Sequence, residues 1–528
     1  MSGMSKVKSL FKKFTDPKER SLKIKGLRAA GWTAIGRGLG RVLRLCSSLI
    51  LTRILFPEAF GLMASATIIL QMIQLVSDTG IRTALIQNPR GNEPEYLNSA
   101  LIISLVRGVV LFILTLGLSK PLALFYGHEE LTGMLGVMAF GIIVNSFENP
   151  ALALVIRKLR AEKQVAYELG TQVLGLITNV IFALVLQNVW ALVFGTLCTQ
   201  FYRMIGSYIV EPYKPKLIWN KAAGKELIGF GKHIMINTLV TWVTMNADKL
   251  FIGKLIDMDT LGIYSIGLNM GIMVEVMFIL VFNQSYFPAV SSVANDLQRV
   301  IKIYRRSVSL VMAISVPILM LSAIFSKEII ELFYDERYIL AYIAAFWISL
   351  RGLFRVISVA QSGTFLSLGK PVYESWSMFC GMITVFILLP AGAYTIGQGW
   401  GLEFEEIFQS IFALKKEYGI EPIQGAAMAI FTVGVVIAFV ESLFMTFKLK
   451  FPVSIVVRPW MQVLLVGGSI GTVYYFLAPM LSSTNYYNLP FIILMAIISF
   501  AASGITYILL EGKNPFSDQG GATKTKAI

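Results

Sequence analysis

Charge is what this chain most conspicuously lacks. Only 15% of its 528 residues are Asp, Glu, Lys or Arg, against about 25% in an ordinary soluble domain. Cysteine and histidine are scarcer still. Cys46, Cys198 and Cys380 sit singly in apolar stretches, and His128 and His233 are far apart. No disulfide framework or metal-ligand spacing can be assembled from them. Catalytic signatures are missing too: no GxxxxGK[ST] phosphate loop, no HExxH and no GxSxG occurs. These absences exclude a metalloenzyme, an ATP-driven machine and a secreted disulfide protein. The expectation is a non-enzyme with no cofactor.

Apolar residues are what the chain has in excess. At 55% of the sequence they number roughly 290, enough for fourteen spans of about 20 residues each. Runs of that length fall at about 29–52, 59–81, 96–119, 131–156, 166–187, 189–210, 233–252, 261–283, 307–326, 338–366, 372–396, 424–447, 459–479 and 488–510. The pattern predicts an all-α polytopic membrane protein of about 14 transmembrane helices. The first run and the tenth are the least clean, because they contain arginines.

A formal charge of +15 would suggest nucleic acid in a soluble chain. In a membrane protein, Lys and Arg gather in cytoplasmic loops facing anionic lipid, so no nucleic-acid partner is expected. With the N-terminus inside, 30 basic residues fall in the inner segments and 7 in the outer ones. That asymmetry puts both termini in the cytoplasm. Residues 1–28 form a basic segment without the apolar core of a signal peptide. The outer loop at 397–423 is acidic and suits a short amphipathic helix, whereas the segment 211–232 is basic, with Trp219 and Phe230 as interfacial anchors.

An internal repeat divides the chain. Thr52–Leu62 reads TRILFPEAFGL and Gly253–Ile263 reads GKLIDMDTLGI, with the same spacing from Arg53 to Gly61 as from Lys254 to Gly262. Both copies sit at an outer turn. The predicted organisation is therefore a six-helix lobe at 29–210, a linker at 211–232, a second six-helix lobe at 233–447, a helix pair at 448–510 and a tail at 511–528. In duplicated transporters the binding site lies between the repeats.

Ionisable groups at bilayer depth cost about 2.5–3.5 kcal/mol each on insertion scales and persist by facing a wet cavity or a partner. Arg37, Arg41 and Arg44 share one stripe of the first helix. Arg107 lies mid-span in the third, and Arg351 and Arg355 are four apart in the tenth. As cavity residues they offer the planar donor forks that suit pyrophosphate oxygens. The competing reading is that Arg37 snorkels and the others pair with buried acids. Asp78, Asp248 and Glu275 are candidates for proton or sodium coupling, with ion pairing as the alternative. Glu441 is a further buried acid. Glu148, followed by Asn149 and Pro150, marks a broken helix.

The runs LTRILFPEAFGL (51–62), SDTGIRTALIQ (77–87), ALALVIRKLRAEKQVAYELG (151–170), PYKPKLIWNKAAGKELIGFGKHI (212–234) and DKLFIGKLIDMDTLGIYSIG (248–267) resemble those of the polysaccharide transporters. The likeness is to the Wzx-type O-antigen and exopolysaccharide flippases of the multidrug/oligosaccharidyl-lipid/polysaccharide superfamily, over about 28–450. The resemblance implies a two-lobed alternating-access fold in the bacterial cytoplasmic (inner) membrane. It implies an undecaprenyl-pyrophosphate-linked oligosaccharide as substrate, with membrane lipids and a polysaccharide polymerase complex as partners. Coupling to an H+ or Na+ gradient is an expectation that rests on the buried acids alone. Within the superfamily, a peptidoglycan lipid-precursor flippase and a cation-coupled multidrug exporter are the rivals. Stacked arginines argue against the second. The loop at 397–423 has no counterpart in this resemblance.

Overall fold

A computed structural model describes residues 22–76, 80–230, 235–398, 420–481 and 489–511. The basic N-terminal stretch up to residue 21, Asp78, most of the 397–423 loop and the tail from residue 512 lie outside the described residues. Apart from one 3-10 turn at Glu336–Tyr338, the described elements are α-helices. Without water in hydrocarbon, a spanning backbone must satisfy its own hydrogen bonds, and a helix does so within one segment.

The helices run in order α1 (Leu22–Ile54), α2 (Pro57–Val76), α3 (Ile81–Gln87), α4 (Pro94–Tyr126), α5 (Glu130–Ser146), α6 (Leu152–Arg157), α7 (Ala161–Leu186), α8 (Val189–Val210) and α9 (Lys221–Phe230). They continue with α10 (Met235–Leu255), α11 (Met258–Ser291), α12 (Leu297–Ile324), α13 (Ser326–Phe333), α14 (Ala341–Ser367), α15 (Val372–Gln398), α16 (Ile420–Phe447), α17 (Val453–Leu481) and α18 (Leu489–Glu511). Within the described residues, the apolar runs overlap the longer helices. Nine helices among the described residues are long and apolar enough to cross a membrane. The run at 131–156 is interrupted at the expected place: α5 stops at Ser146, Glu148–Pro150 form the break, and α6 restarts at Leu152.

The chain packs as two compact units, one of Met1–Trp242 with Ile256–Gly262 and the other of Val243–Leu255 with Ile263–Ile528. Within the first unit, α4 lies along α5, α7 along α8, and α1 along α7. The α1–α7 seam is set by small residues: Gly36 meets Val165, and the Gln172 amide donates to the Gly40 carbonyl at 2.6 Å. Residues 211–220 cross the start of α4 as an irregular strap. There the Asn98 side chain accepts from Tyr213 Oη and Lys216 N, and Ser99 Oγ accepts from Asn220 N. Helix α9 follows, and its Glu226 accepts from Tyr96 Oη at 2.6 Å and Asn88 Nδ2 at 2.9 Å. Those two donors hold the Glu226 carboxyl below the usual carboxylate range.

Also within the first unit, the two copies of the internal repeat meet. Gly61 in the first turn of α2 lies against the Met258 carbonyl, and Gly262 in the first turn of α11 lies against the Pro57 carbonyl. A Cβ at either position would collide with backbone. The shared glycine of the repeat is thus a requirement of close helix approach.

The second unit packs α14 and α15 against α16, and α12 against α14, α17 and α18. Its core buries Tyr304, Met312, Phe365 and Met445. Gly267 and Gly271 bring α11 onto Ala341, Ala345 and Ile348 of α14, the small-residue spacing that lets helices pack without a hydrophobic driving force between them. Deeper in the same seam, Arg351 Nη2 meets Glu275 Oε2 at 2.8 Å, with side chains only 11% and 4% exposed.

Two outcomes are expected. Gly61→Ala should lower the thermal unfolding midpoint of the purified protein by several degrees or stop its accumulation. Gly38→Ala, with nothing within 4 Å of the added methyl, should be neutral or slightly stabilising, since Ala exceeds Gly in a helix by about 1 kcal/mol. Glu275→Ala and Arg351→Ala should each cost about 3–5 kcal/mol by stranding a buried charge. The double replacement should cost less than the sum, read from a double-mutant cycle of unfolding free energies.

Candidate functional site

The first unit contains a cavity of about 460 Å³ bounded by α2, α3, α4, α5, the 148–150 break, α6 and α8. A polar wall in the middle of apolar helices needs an explanation, because each donor and acceptor placed there without a partner is costly. The wall here is made by Gln71 and Gln74 of α2, Asn145 of α5, Gln200 of α8 and three arginines, Arg82, Arg107 and Arg203.

Each arginine arrives from a different element. Arg107 lies mid-way along α4, half-buried, and its Nη2 donates to the Gln74 carbonyl at 2.9 Å. Arg82 projects from the short α3, which starts after Gly80 in the left-handed backbone region (φ 61°). Arg203 stands on α8 and is exposed, as is Arg82. One carboxylate joins them: Glu148 lines the cavity, and its Oε1 accepts from Tyr167 Oη at 2.5 Å. Among the described residues, three guanidinium groups face one carboxylate in the cavity. Its chemistry suits an anion able to accept several planar donor pairs.

The sequence-derived residues are distributed unevenly around this site. Arg107 lines it. Arg37, Arg41 and Arg44 do not. Their stripe on α1 is displaced by one residue, about 100°, from the Gly36–Gly40 face that packs on α7, so α7 does not cover it. Arg37 and Arg44 are exposed there and Arg41 is half-buried.

The remaining candidates belong to the second unit. Arg351 is paired with Glu275 as described. Arg351 and Arg355 together border a water-sized pocket with Thr244, Ser358 and Gly434. Asp248 is buried and accepts from Tyr264 Oη at 2.5 Å through Oδ2, while its Oδ1 has no hydrogen-bond partner. Glu441 is fully buried and accepts from Ser362 Oγ at 3.2 Å.

Arg82 and Arg203 escaped the sequence reading. Arg203 lies inside the apolar run 189–210, so the cost of a charge at bilayer depth was a sufficient signal for it. For Arg82 the only signal was its place directly after the SDTGI run. No group of His, Cys, Asp and Glu among the described residues is arranged to hold a metal ion.

Comparison with known proteins agrees with this architecture. The profile of the polysaccharide biosynthesis protein family matches residues 50–342. The chain is 25% identical over 242 residues to the succinoglycan biosynthesis transport protein ExoT of Rhizobium meliloti, covering 45% of this chain and 48% of that protein. It is 20% identical over 354 residues to the lipopolysaccharide biosynthesis protein WzxC of Escherichia coli, covering 67% of this chain and 70% of that one. The match thus spans about half the length of the first relative. Among solved structures, the lipid II flippase MurJ in an inward closed conformation superposes with a TM-score of 0.67 at 12% identity, over 90% of this chain and 98% of that one. An inward-facing multidrug-resistance MATE transporter gives 0.58 at 14% identity, over 78% and 94%. At such identities the likeness concerns the fold. With its profile match over more than half its length and its apolar helices, this chain is a multi-pass membrane protein that belongs to the polysaccharide biosynthesis protein family.

Proposed function

We propose that the chain is a flippase that carries an undecaprenyl-pyrophosphate-linked oligosaccharide from the inner to the outer leaflet of the bacterial cytoplasmic membrane, for surface polysaccharide synthesis. The observation that carries this reading is the arginine-lined cavity of the first unit. A hydrated, doubly charged head group cannot enter hydrocarbon unaided, because its desolvation is uncompensated there. Arg82, Arg107 and Arg203 replace its water with fixed charged donors while the polyprenyl tail stays in lipid. Names borne by relatives in succinoglycan and lipopolysaccharide synthesis support the same substrate class.

In this reading both termini are cytoplasmic, and the stripe Arg37, Arg41 and Arg44 extends the cationic path. In the second unit Arg351 is held by Glu275, and Arg355 beside it is the corresponding cation. Alternating exposure of the head group to either side completes the cycle. Buried Asp248, with one oxygen unpartnered, is the first candidate for proton or sodium coupling, ahead of Glu275, whose charge is balanced by Arg351. A polysaccharide polymerase complex is the partner that would take the product. A multidrug exporter for cationic compounds is disfavoured, since a cationic wall repels its substrate.

The test is transfer of a fluorescent pyrophosphate-linked polyprenyl lipid in proteoliposomes, scored by loss of outer-leaflet quenching. A charge-assisted hydrogen bond is worth about 1.5–3 kcal/mol, so Arg107→Ala and Arg203→Ala should each slow transfer on the order of tenfold or more. Lysine at either position should restore part of the rate. Unchanged transfer in the Arg82→Ala/Arg107→Ala/Arg203→Ala triple variant would remove the cavity from the mechanism. A variant that moves the monophosphorylated lipid equally well would remove the pyrophosphate assignment.

A further inference from the structure

The strap at 211–220 carries a feature that transport does not use. Three consecutive large apolar residues, Leu217, Ile218 and Trp219, are 73%, 57% and 47% exposed. Ordinary solvation does not account for such a run, since an isolated exposed apolar residue is normal but a contiguous group marks a contact. The run is held out, not merely loose. On one side the Lys216 amide is fixed to Asn98 at 2.8 Å, and on the other the Asn220 amide is fixed to Ser99 at 3.2 Å. Asn220 Oδ1 then caps α9 by accepting from the Ala222 and Ala223 amides, and one edge of the Trp219 ring is seated over Gly224.

Cations outnumber anions around this wedge. Lys214, Lys216, Lys221 and Lys225 are all exposed beside it. Of the acids close by, Glu211 is paired with Lys158 at 3.3 Å, while Glu226 and Glu95 keep their charge and accept from neutral donors, Tyr96 and Asn88 for the first and Asn220 Nδ2 at 2.6 Å for the second. Height along the membrane normal follows from helix length. The strap is tied to residues 95–99, the first turns of α4, which is 33 residues long. At 1.5 Å per residue that helix measures about 50 Å, well beyond a hydrocarbon core of about 30 Å. Its apolar run starts at about residue 96, which sets the first turns at the boundary between core and head groups.

We infer that residues 214–225 form a docking surface for anionic phospholipid: Leu217, Ile218 and Trp219 enter the acyl boundary, and the lysines bind head-group phosphates. Aromatic and aliphatic residues beside lysine are the combination that partitions into an anionic interface. Rigid hydrogen bonding on both sides of the wedge means that its insertion orders no free loop. The surface then fixes the chain leaving the first unit at a set depth in that leaflet.

A spin label at Ile218→Cys in the full chain, with the three native cysteines replaced, tests this in vesicles. In phosphatidylcholine containing phosphatidylglycerol, relaxation by oxygen should exceed relaxation by a water-soluble nickel chelate several-fold, and the excess should shrink in pure phosphatidylcholine. Lys214→Gln/Lys216→Gln/Lys221→Gln should abolish the dependence on phosphatidylglycerol, and the three arginine replacements should retain it. Dominant nickel access in both vesicles overturns the inference, because the wedge is then in water. Exclusion of both reagents overturns it in favour of a protein partner or a second copy of this chain. Equal oxygen access in neutral and anionic vesicles overturns the head-group recognition.

Discussion

Hydrocarbon offers no hydrogen bonds, and nearly everything in this molecule answers to that. Backbone amides close on themselves in helices, and side-chain hydroxyls bond back to the preceding turn, as Thr115 does to Leu111 and Thr384 to Cys380. Some charges are paired, as Arg351 is with Glu275, and others are gathered around a polar cavity, as Arg82, Arg107 and Arg203 are. The difference between the two solutions separates structure from function. An ion pair closed on itself has little left to offer a ligand, whereas cations outnumbering the acids on one wall are a standing attraction for an anion.

Close approach of helices is the second constraint, and it is met with glycine. Lipid tails are as apolar as leucine, so packing in a membrane depends on van der Waals fit and on backbones coming near one another. Gly267 and Gly271 place α11 on α14, and Gly36 and Gly40 place α1 on α7. The pair Gly61 and Gly262 is a special case, because each occupies the same position in a duplicated segment and each abuts the backbone that carries the other. Two similar segments thus bring identical small residues to a shared crossing point. Mutation of one copy therefore disturbs a contact that both copies make.

Much of this was legible without coordinates. The fourteen apolar runs anticipate the long helices, since a span must be long and apolar whatever surrounds it. Asn149–Pro150 after Glu148 announced the interruption, because proline lacks a donor and the residue before it avoids the helical region. The arginines were flagged by cost alone, and that argument gives depth without direction. It grouped Arg37, Arg41 and Arg44 with Arg107 and Arg351 as one set, yet these residues occupy three different surroundings. It passed over Arg203, which has the same cost, and it had no purchase on Arg82, which lies just past the end of the apolar run 59–81.

Sequence by itself determined the solvent and the helical class, because these follow from composition, span length and short-range pattern along one chain. Which charge faces which was decided only by tertiary structure. Glu275 and Arg351 are 76 positions apart, and the cavity arginines come from α3, α4 and α8. A helix fixes a residue's height and rotation about its own axis, but the neighbour across the seam is chosen by how whole helices cross. That choice rests on the summed fit of many side chains, which no local pattern encodes.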